Sequence, residues 1–582
     1  MPALLPTRPF LTRLAVTTIA LVLVVAGGVG AADSAFSSAH TVTGLPALNV
    51  DGAATIDDLS CSSNGNCGAI GTYLDGTRLT QGFVVNETNG TWGAAEEIPG
   101  LGALNAGGTV GDLLSISCPA SGACTAAGYY TDNVGSHQTF LVDEHSGTWG
   151  TAVALPRSGA LPINLPAVPY ALSCAAPGEC VAGGNYLNGT QTATESWVAT
   201  ESAGSWSGAI ELPGSGALNA GVGGALLSLA CPAVGACTAV GFYTDSSGQF
   251  QGYVANEASG TWAAAQPIPG LVTLNSGGAA IPSQVVCSSV GRCAMGGGYT
   301  ITGGSSEAFV ADAIGGVWGN AIEVPGSGAL NTAGDAFINS IACPSNGSCE
   351  AVGFYSPTSK SESEAMVVSE TGGVWGNAFE MPGSIQLNTG NFSSAYTVSC
   401  VAAGDCRAVG LYTDGSNNSQ AFLSAETGGV WSSTVEAPGT ATLNVEGDAS
   451  LNVVSCTSDG NCSAGGQYKD GAGFVQAMIT DAYTAPPPPP PPTTAPAAPS
   501  LSAASHAKGK VTLTVSPGTD GGSPITAYQY SMNGGAWRQG SSGATSFIVS
   551  HLKSKSKVHL RVRAVNAIGP SGPSASVTVK VR

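Results

Sequence analysis

Sixteen cysteines in eight pairs of identical internal spacing constrain this chain more than any other feature. The pairs are Cys61 with Cys67, Cys118 with Cys124, Cys174 with Cys180, Cys231 with Cys237, Cys287 with Cys293, Cys343 with Cys349, Cys400 with Cys406 and Cys456 with Cys462. They recur every 56 or 57 residues. A period this strict is the mark of a repeat architecture and takes precedence over any local motif. Other residues keep step with it. A Tyr follows every pair at one offset, from Tyr73 to Tyr468, with Gly two positions before it. A Trp recurs seven times, from Trp92 to Trp431, and an Asn eight times, from Asn49 to Asn444.

Each unit reads as four short strands separated by turn signals, for example LLSISC, CTAAGYY, QTFLVDE and TWGTAVALP, with no helical period. Charged residues are 9% of the 582, too few for long exposed helices or coiled coils. Four strands per unit, repeated radially, predict a β-propeller, and an open solenoid is the competing arrangement. The two ends of the repeat region decide between them. The last unit has its Cys pair, Tyr468 and a third strand, but no Trp strand. Residues 34–49 align with residues 90–105, with Phe36 in the place of Trp92. The expectation is an all-β chain: an eight-bladed propeller over residues 34–483, closed by an N-terminal strand that completes the last blade.

Arg8 and Arg13 precede an apolar run from Leu14 to Val29 and the small residues Gly30, Ala31 and Ala32, the layout of a cleaved secretory signal over residues 1–32. In an exported chain, two cysteines facing each other across a short hairpin connection form a disulfide. Each such small loop contributes about 2 kcal/mol in the chain-entropy model. Zinc is the weaker reading, because pairs in different blades face apart and the propeller has three His. After cleavage no membrane span is expected, and the protein is expected to be a secreted or cell-surface monomer.

The net charge of −19 hides a split. Residues 33–497 carry 36 acids and six bases, whereas 498–582 carry ten bases and one acid, Asp520. The acidic part would repel a polyphosphate backbone, which argues against nucleic acid as its partner. Between the two parts, residues 484–499 contain seven consecutive prolines, a polyproline II spacer. Residues 500–582 alternate apolar and polar residues in short strands. Through GGSPITAYQYSMNGGAW and LRVRAVNAIGPSG they resemble a fibronectin type III domain, with Val515 where that family's core Trp is usual and Val558 where its corner Tyr is. The resemblance implies a small β-sandwich. Along VHLRVRAV, Lys557, His559, Arg561 and Arg563 point away from the apolar side, and Lys580 extends the charge. Such a face suits an anionic cell-envelope polymer or polysaccharide, or the acidic propeller itself.

Features present in every blade are most simply blade architecture, so function is expected where blades differ. By that rule the Tyr, Trp, Gly and Asn series are structural, and the Glu series five before Trp (Glu87, Glu144, Glu201, Glu257, Glu370, Glu426) reads as solvated strand ends. Stretches such as NETNGTW and NEASGTW resemble a degenerate Asp box of sialidase-type propellers. That family gathers three arginines on its substrate, whereas Arg78, Arg157, Arg292 and Arg407 sit at different offsets in their repeats. One local departure stands out. Asp51, Asp57 and Asp58 in the first blade and Glu446 and Asp448 in the eighth become neighbours if the ring closes, a carboxylate set able to hold Ca²⁺, which takes six to eight oxygens. No other cofactor is expected.

The stapled repeats followed by the sandwich module resemble exported bacterial proteins of mostly unassigned role. The leading expectation is a non-catalytic extracellular binding or scaffold protein. The alternatives are a glycan-active enzyme, for which no catalytic residue stands out, and an adhesion or signalling partner.

Overall fold

The computed structural model describes residues 36–582 except 64, 106, 107, 109, 158–160, 162–165, 360, 483–493 and 522. The expected signal segment, residues 1–32, and most of the proline spacer lie outside the described residues. The chain divides into two compact units, with the division between Thr484 and Ala485.

The larger unit is an eight-bladed β-propeller. Blade 1 is built from Thr55–Ser63, Asn66–Leu74 and Thr80–Thr88, paired antiparallel in that order from the centre outward. Its outermost strand is broken into Thr91–Trp92 and Glu96–Glu97, both of which pair with Thr80–Thr88. Blades 2 to 7 repeat this plan.

All eight expected disulfides are formed, each across the first hairpin of its blade. Cys61 bonds Cys67 in blade 1, Cys118 bonds Cys124 in blade 2, and Cys174 bonds Cys180 in blade 3. Cys231 bonds Cys237 in blade 4, Cys287 bonds Cys293 in blade 5, and Cys343 bonds Cys349 in blade 6. Cys400 bonds Cys406 in blade 7, and Cys456 bonds Cys462 in blade 8. The second cysteine of each pair is the more deeply placed: Cys67, Cys124, Cys180, Cys237, Cys293 and Cys349 are all buried in the blade cores.

Blade 8 has three strands of its own, Ser450–Cys456, Cys462–Lys469 and Val475–Ala482, and takes its outer edge from the N-terminal segment. His40 and Thr41 lie opposite Ile479 and Met478. Upstream, the Ser37 amide donates to the Asp481 carbonyl at 2.7 Å, and Phe36 packs against the blade 8 core. The predicted ring closure is therefore formed, with Phe36 in the register of a blade tryptophan.

Blades bury their faces on one another. Ile70 and Val84 of blade 1 pack with Ile116 and Phe140 of blade 2, while Ile56 and Phe83 pack backward onto Val453 and Ile479 of blade 8. The repeated Gly before each Tyr is required by this layering. A Cβ at Gly353 would lie 1.9 Å from the Phe337 carbonyl oxygen of the inner strand.

The innermost strand of each blade is a sheet edge, and its outward amides need acceptors. The preceding blade supplies one at every interface. Ser60, Ser117 and Ser173 accept from the amides of Cys118, Cys174 and Cys231 at 3.0–3.1 Å. Ser399 and Ser455 do the same for Cys456 and Cys61, the last of these joining blade 8 to blade 1. In blades 4, 5 and 6 that position holds Ala230, Val286 and Ala342, and the acceptor moves two residues back. There Ser228, Gln284 and Ser340 accept from Val285, Ile341 and Val398 at 2.8–3.2 Å.

The absence of helical period in the sequence conceals one feature. Seven four-residue helical turns, such as Leu45–Leu48 and Ser327–Leu330, precede inner strands among the described residues. A single turn is too short to show a period. The repeated Asn follows each turn and is more than a turn former. Asn49 donates from Nδ2 to Val475 O and Gln476 Oε1 of blade 8, and accepts from the Ala53 amide.

The smaller unit is a β-sandwich. One sheet orders Ser500–Ala507, Lys510–Ser516 and Ser546–Val549; the other orders Arg538–Ser541, Ala527–Met532, Lys557–Val565 and Val577–Lys580. Val511, Leu513, Leu560 and Val562 are fully buried between them. No helix among the described residues is long and apolar enough to cross a membrane.

Because Ser455 is the acceptor at the closing interface, Ser455→Ala should lower unfolding free energy by about 1 kcal/mol, the typical worth of one such bond. Ser455→Thr, which keeps the hydroxyl, should cost less. Urea unfolding of the oxidised protein measures both.

Candidate functional site: the channel mouth and the basic sheet face

The inner strands carry a β-bulge shortly ahead of the serines that bind the next blade, seen as a register shift between Ile56 and Asp58 and at the matching place in every other blade. A bulge re-aims the extra side chain. The bulged residue is Asp57 in blade 1, Tyr170 in blade 3, Leu227 in blade 4, Ser283 in blade 5, Asn339 in blade 6, Tyr396 in blade 7 and Asn452 in blade 8, and all seven line one cavity of about 350 Å³ at the ring axis. Among the described residues this is where the blades differ most in a shared space. A cavity of about 420 Å³ lies at the outer seam of blades 1 and 2 and is lined by Trp92 and Trp149, which occur in nearly every blade.

Several channel residues are already engaged. Asn339 Nδ2 donates to Ala395 O at 2.8 Å, and Asn452 Nδ2 to Ile56 O at 3.1 Å, so both tie their blade to the next. Asp58 accepts from the amides of Leu59 and Ile116 at 2.8 and 2.9 Å. Burial nonetheless pushes its carboxyl up to about 6, since these bonds only partly offset desolvation. Among the described residues no Lys, Arg or His lines the channel.

The five carboxylates suggested for Ca²⁺ are not brought together. Asp51 faces Arg78 at 3.9 Å, and Glu446 faces Lys469 at 3.3 Å. Both cations come from the end of the second strand or the turn after it, a placement that sequence proximity alone did not reveal. Asp57 and Asp58 belong to the inner strand and line the channel instead, while the Asp448 amide is held by Asn444. Among the described residues no group of three or more His, Cys, Asp or Glu side chains is arranged to hold a metal ion.

The glutamate series departs from its expected solvation. Glu87, Glu144, Glu201, Glu257, Glu370 and Glu426 are 1–6% exposed. Each lies directly opposite the blade tryptophan, and the pairing turns it into the seam between blades rather than toward water. Burial raises the carboxyls of Glu87, Glu201 and Glu370 to about 7, helped by Asp481, by Asp143 and Glu179, and by Asp312 respectively. Glu350, beside Glu426, reaches about 8 for the same reason.

The four propeller arginines stand apart. Arg78 is near Asp51, and Arg157 donates to Gln138. Arg407 is buried, donating to Asp405 at 2.7 Å and to the Cys406 and Glu426 carbonyls. Arg292 lies exposed on the second strand of blade 5.

In the sandwich, Lys557, His559 and Arg561 are exposed while Val558, Leu560 and Val562 between them are buried. Lys580 lies directly opposite Lys557. Arg563 is held by Gln529 at 2.8 Å and lies 4.6 Å from the centre of the Trp537 ring. The five basic residues therefore share one face.

No protein-family model and no curated protein matches the chain. Among solved structures it is similar to a protein of unknown function from Dyadobacter fermentans, at 10% identity over 77% of this chain and 98% of the other, with a TM-score of 0.33. It is also similar to the subtype N11 neuraminidase-like protein of A/flat-faced bat/Peru/033/2010 (H18N11), at 11% identity over 58% of this chain and 91% of that one, with a TM-score of 0.31. A short part is similar to the twitchin kinase region of C. elegans, at 25% identity over 15% of this chain, with a TM-score of 0.14. The match spans 17% of that structure.

The raised carboxyls set a pH dependence. A glutamate protonated more readily folded than unfolded contributes stability below its unfolded value, near 4.5, and that contribution is lost as pH rises through about 7 or 8. Asp75 works oppositely. Against a desolvation cost, bonds from Thr77, Leu79 and Gln81 hold it down at about 2, so its contribution is lost below the usual carboxylate range. Thermal unfolding at fixed scan rate should give a higher midpoint near pH 5 than near pH 8, with a second fall below about pH 3.5.

Proposed function

We propose that the protein is a secreted, non-catalytic binding or scaffold protein. In this reading residues 1–32 direct export, residues 484–499 form a stalk, and residues 500–582 are a fibronectin type III domain that holds an anionic cell-envelope polymer or polysaccharide. Eight disulfides suit an oxidising compartment and support export.

The observation that carries the reading is the shared basic face. Like charges directly opposite across a strand pair destabilise it, and Lys557 against Lys580 is such a pair, flanked by His559 and Arg561. A bound polyanion relieves that repulsion. Arg563, fixed between Gln529 and Trp537, presents its guanidinium with little remaining freedom to lose. The channel carboxylates Asp57 and Asp58 are consecutive on one strand rather than opposed across the opening, so binding is favoured over glycoside hydrolysis.

Full-length protein should bind immobilised dextran sulfate and not neutral dextran, with affinity falling steeply between about 0.05 and 0.5 M NaCl as screening shortens. The triple variant Lys557→Gln, Arg561→Gln, Lys580→Gln should weaken binding about tenfold or more. Equal binding by the variant, or no response to salt, would overturn the reading.

A further inference from the structure

The channel mouth offers a site of a different chemistry, on the other unit. In a ring of eight, blades 3 and 7 are diametrically opposed, and these are the two blades whose bulged residue is tyrosine. Tyr170 and Tyr396 thus stand on opposite walls of a cavity of about 350 Å³, within the usual range for small-ligand sites. Blade 1, midway between them around the ring, places Asp57 on the same level, and Ser283 of blade 5 faces it from across the axis.

We propose that the channel mouth binds an amino-hexose, its ring flanked by Tyr170 and Tyr396 and its ammonium directed to the Asp57 wall. Tyrosines present an apolar face with a polar tip, which suits the C–H faces and hydroxyls of a pyranose. Their ring faces also attract a cation. Asp57 supplies the opposite charge, and the neighbouring Asp58 adds to the negative potential of that wall. An anionic sugar meets repulsion instead, because the described lining holds two carboxylates and no basic side chain.

The remaining walls are polar and largely fixed before any ligand arrives. Thr397 Oγ1 donates to Asn452 O at 2.6 Å, and Ser283 Oγ to Gly296 O at 3.0 Å, leaving each hydroxyl oxygen as an acceptor. Preorganisation of this kind lowers the ordering cost of binding.

Titration of the full-length protein with D-glucosamine, D-glucose and D-glucuronate, followed by saturation-transfer NMR and calorimetry, tests the site. Glucosamine should bind saturably, glucose about fivefold or more weakly, and glucuronate not at the same concentrations. Asp57→Asn should abolish the preference for glucosamine over glucose. Tyr170→Ala and Tyr396→Ala should each weaken glucosamine binding about tenfold. Tyr170 is 37% exposed, so its truncation leaves the fold intact even if loss of Tyr396 does not. Absence of saturable glucosamine binding, equal affinity for all three sugars, or unchanged binding in Tyr170→Ala would overturn the proposal. Repeating the titration on the Lys557→Gln, Arg561→Gln, Lys580→Gln variant removes any contribution of the basic sheet face, so the two proposals fail independently.

Discussion

The propeller depends on how each blade satisfies the bare edge of the next. An inner strand pairs on one side only, and the amides on its other side face a neighbour whose backbone runs in a separate sheet. At every interface a side-chain oxygen captures such an amide, always donated from blade n+1 to blade n. A head-to-tail contact of this kind makes a ring only if the last copy meets the first. Here it does so twice, through Ser455 accepting from Cys61 and through the N-terminal segment lying along blade 8. The disulfides act within blades, and the seams rely on these latches and on apolar packing between faces.

The features legible in the sequence are those that keep strict period. The Cys pairs, the Gly that a crowding carbonyl demands, and the alignment of Phe36 with Trp92 all led to the correct architecture, including the donated edge strand. The latch escaped notice because it occupies either of two positions. Ser173 and Ser399 hold one, whereas Ala230 and Val286 vacate it in favour of Ser228 and Gln284. A search for complementary exchange between the two positions would have found it. A similar exchange occurs farther out. Gln81 and Gln251 donate to Asp75 and Asp245, but blades with Asn188 or Ile301 in place of that Asp carry Glu195 or Glu307 in place of the Gln. Each of these blades thereby keeps a single carboxylate at that point.

The candidate site was harder to read, for reasons of geometry. Alternation assigns faces to strand residues, and the bulge breaks that alternation at the residues that reach the axis, so Tyr170 and Tyr396 carried no sign of facing each other. Sequence position groups Asp57 and Asp58 with Asp51, Glu446 and Asp448, whereas the bulged inner strand carries them to the channel. Polarity misled in the glutamate series as well. A two-residue strand carrying Trp turns back onto the third strand and presses Glu87 and its equivalents into the seam, where burial outweighs the preference of a carboxylate for water. By contrast the basic face of the sandwich follows plain alternation over Lys557–Val565 and was fully visible.

Hydrogen exchange read by mass spectrometry on the oxidised protein tests ring closure most directly. If the N-terminal strand is an integral edge of blade 8, peptides covering residues 37–42 and 475–481 will be protected together and will exchange only with global opening of the propeller. Rapid exchange over residues 37–42 beside a protected central channel, as expected of a fraying terminus, would contradict the closed ring.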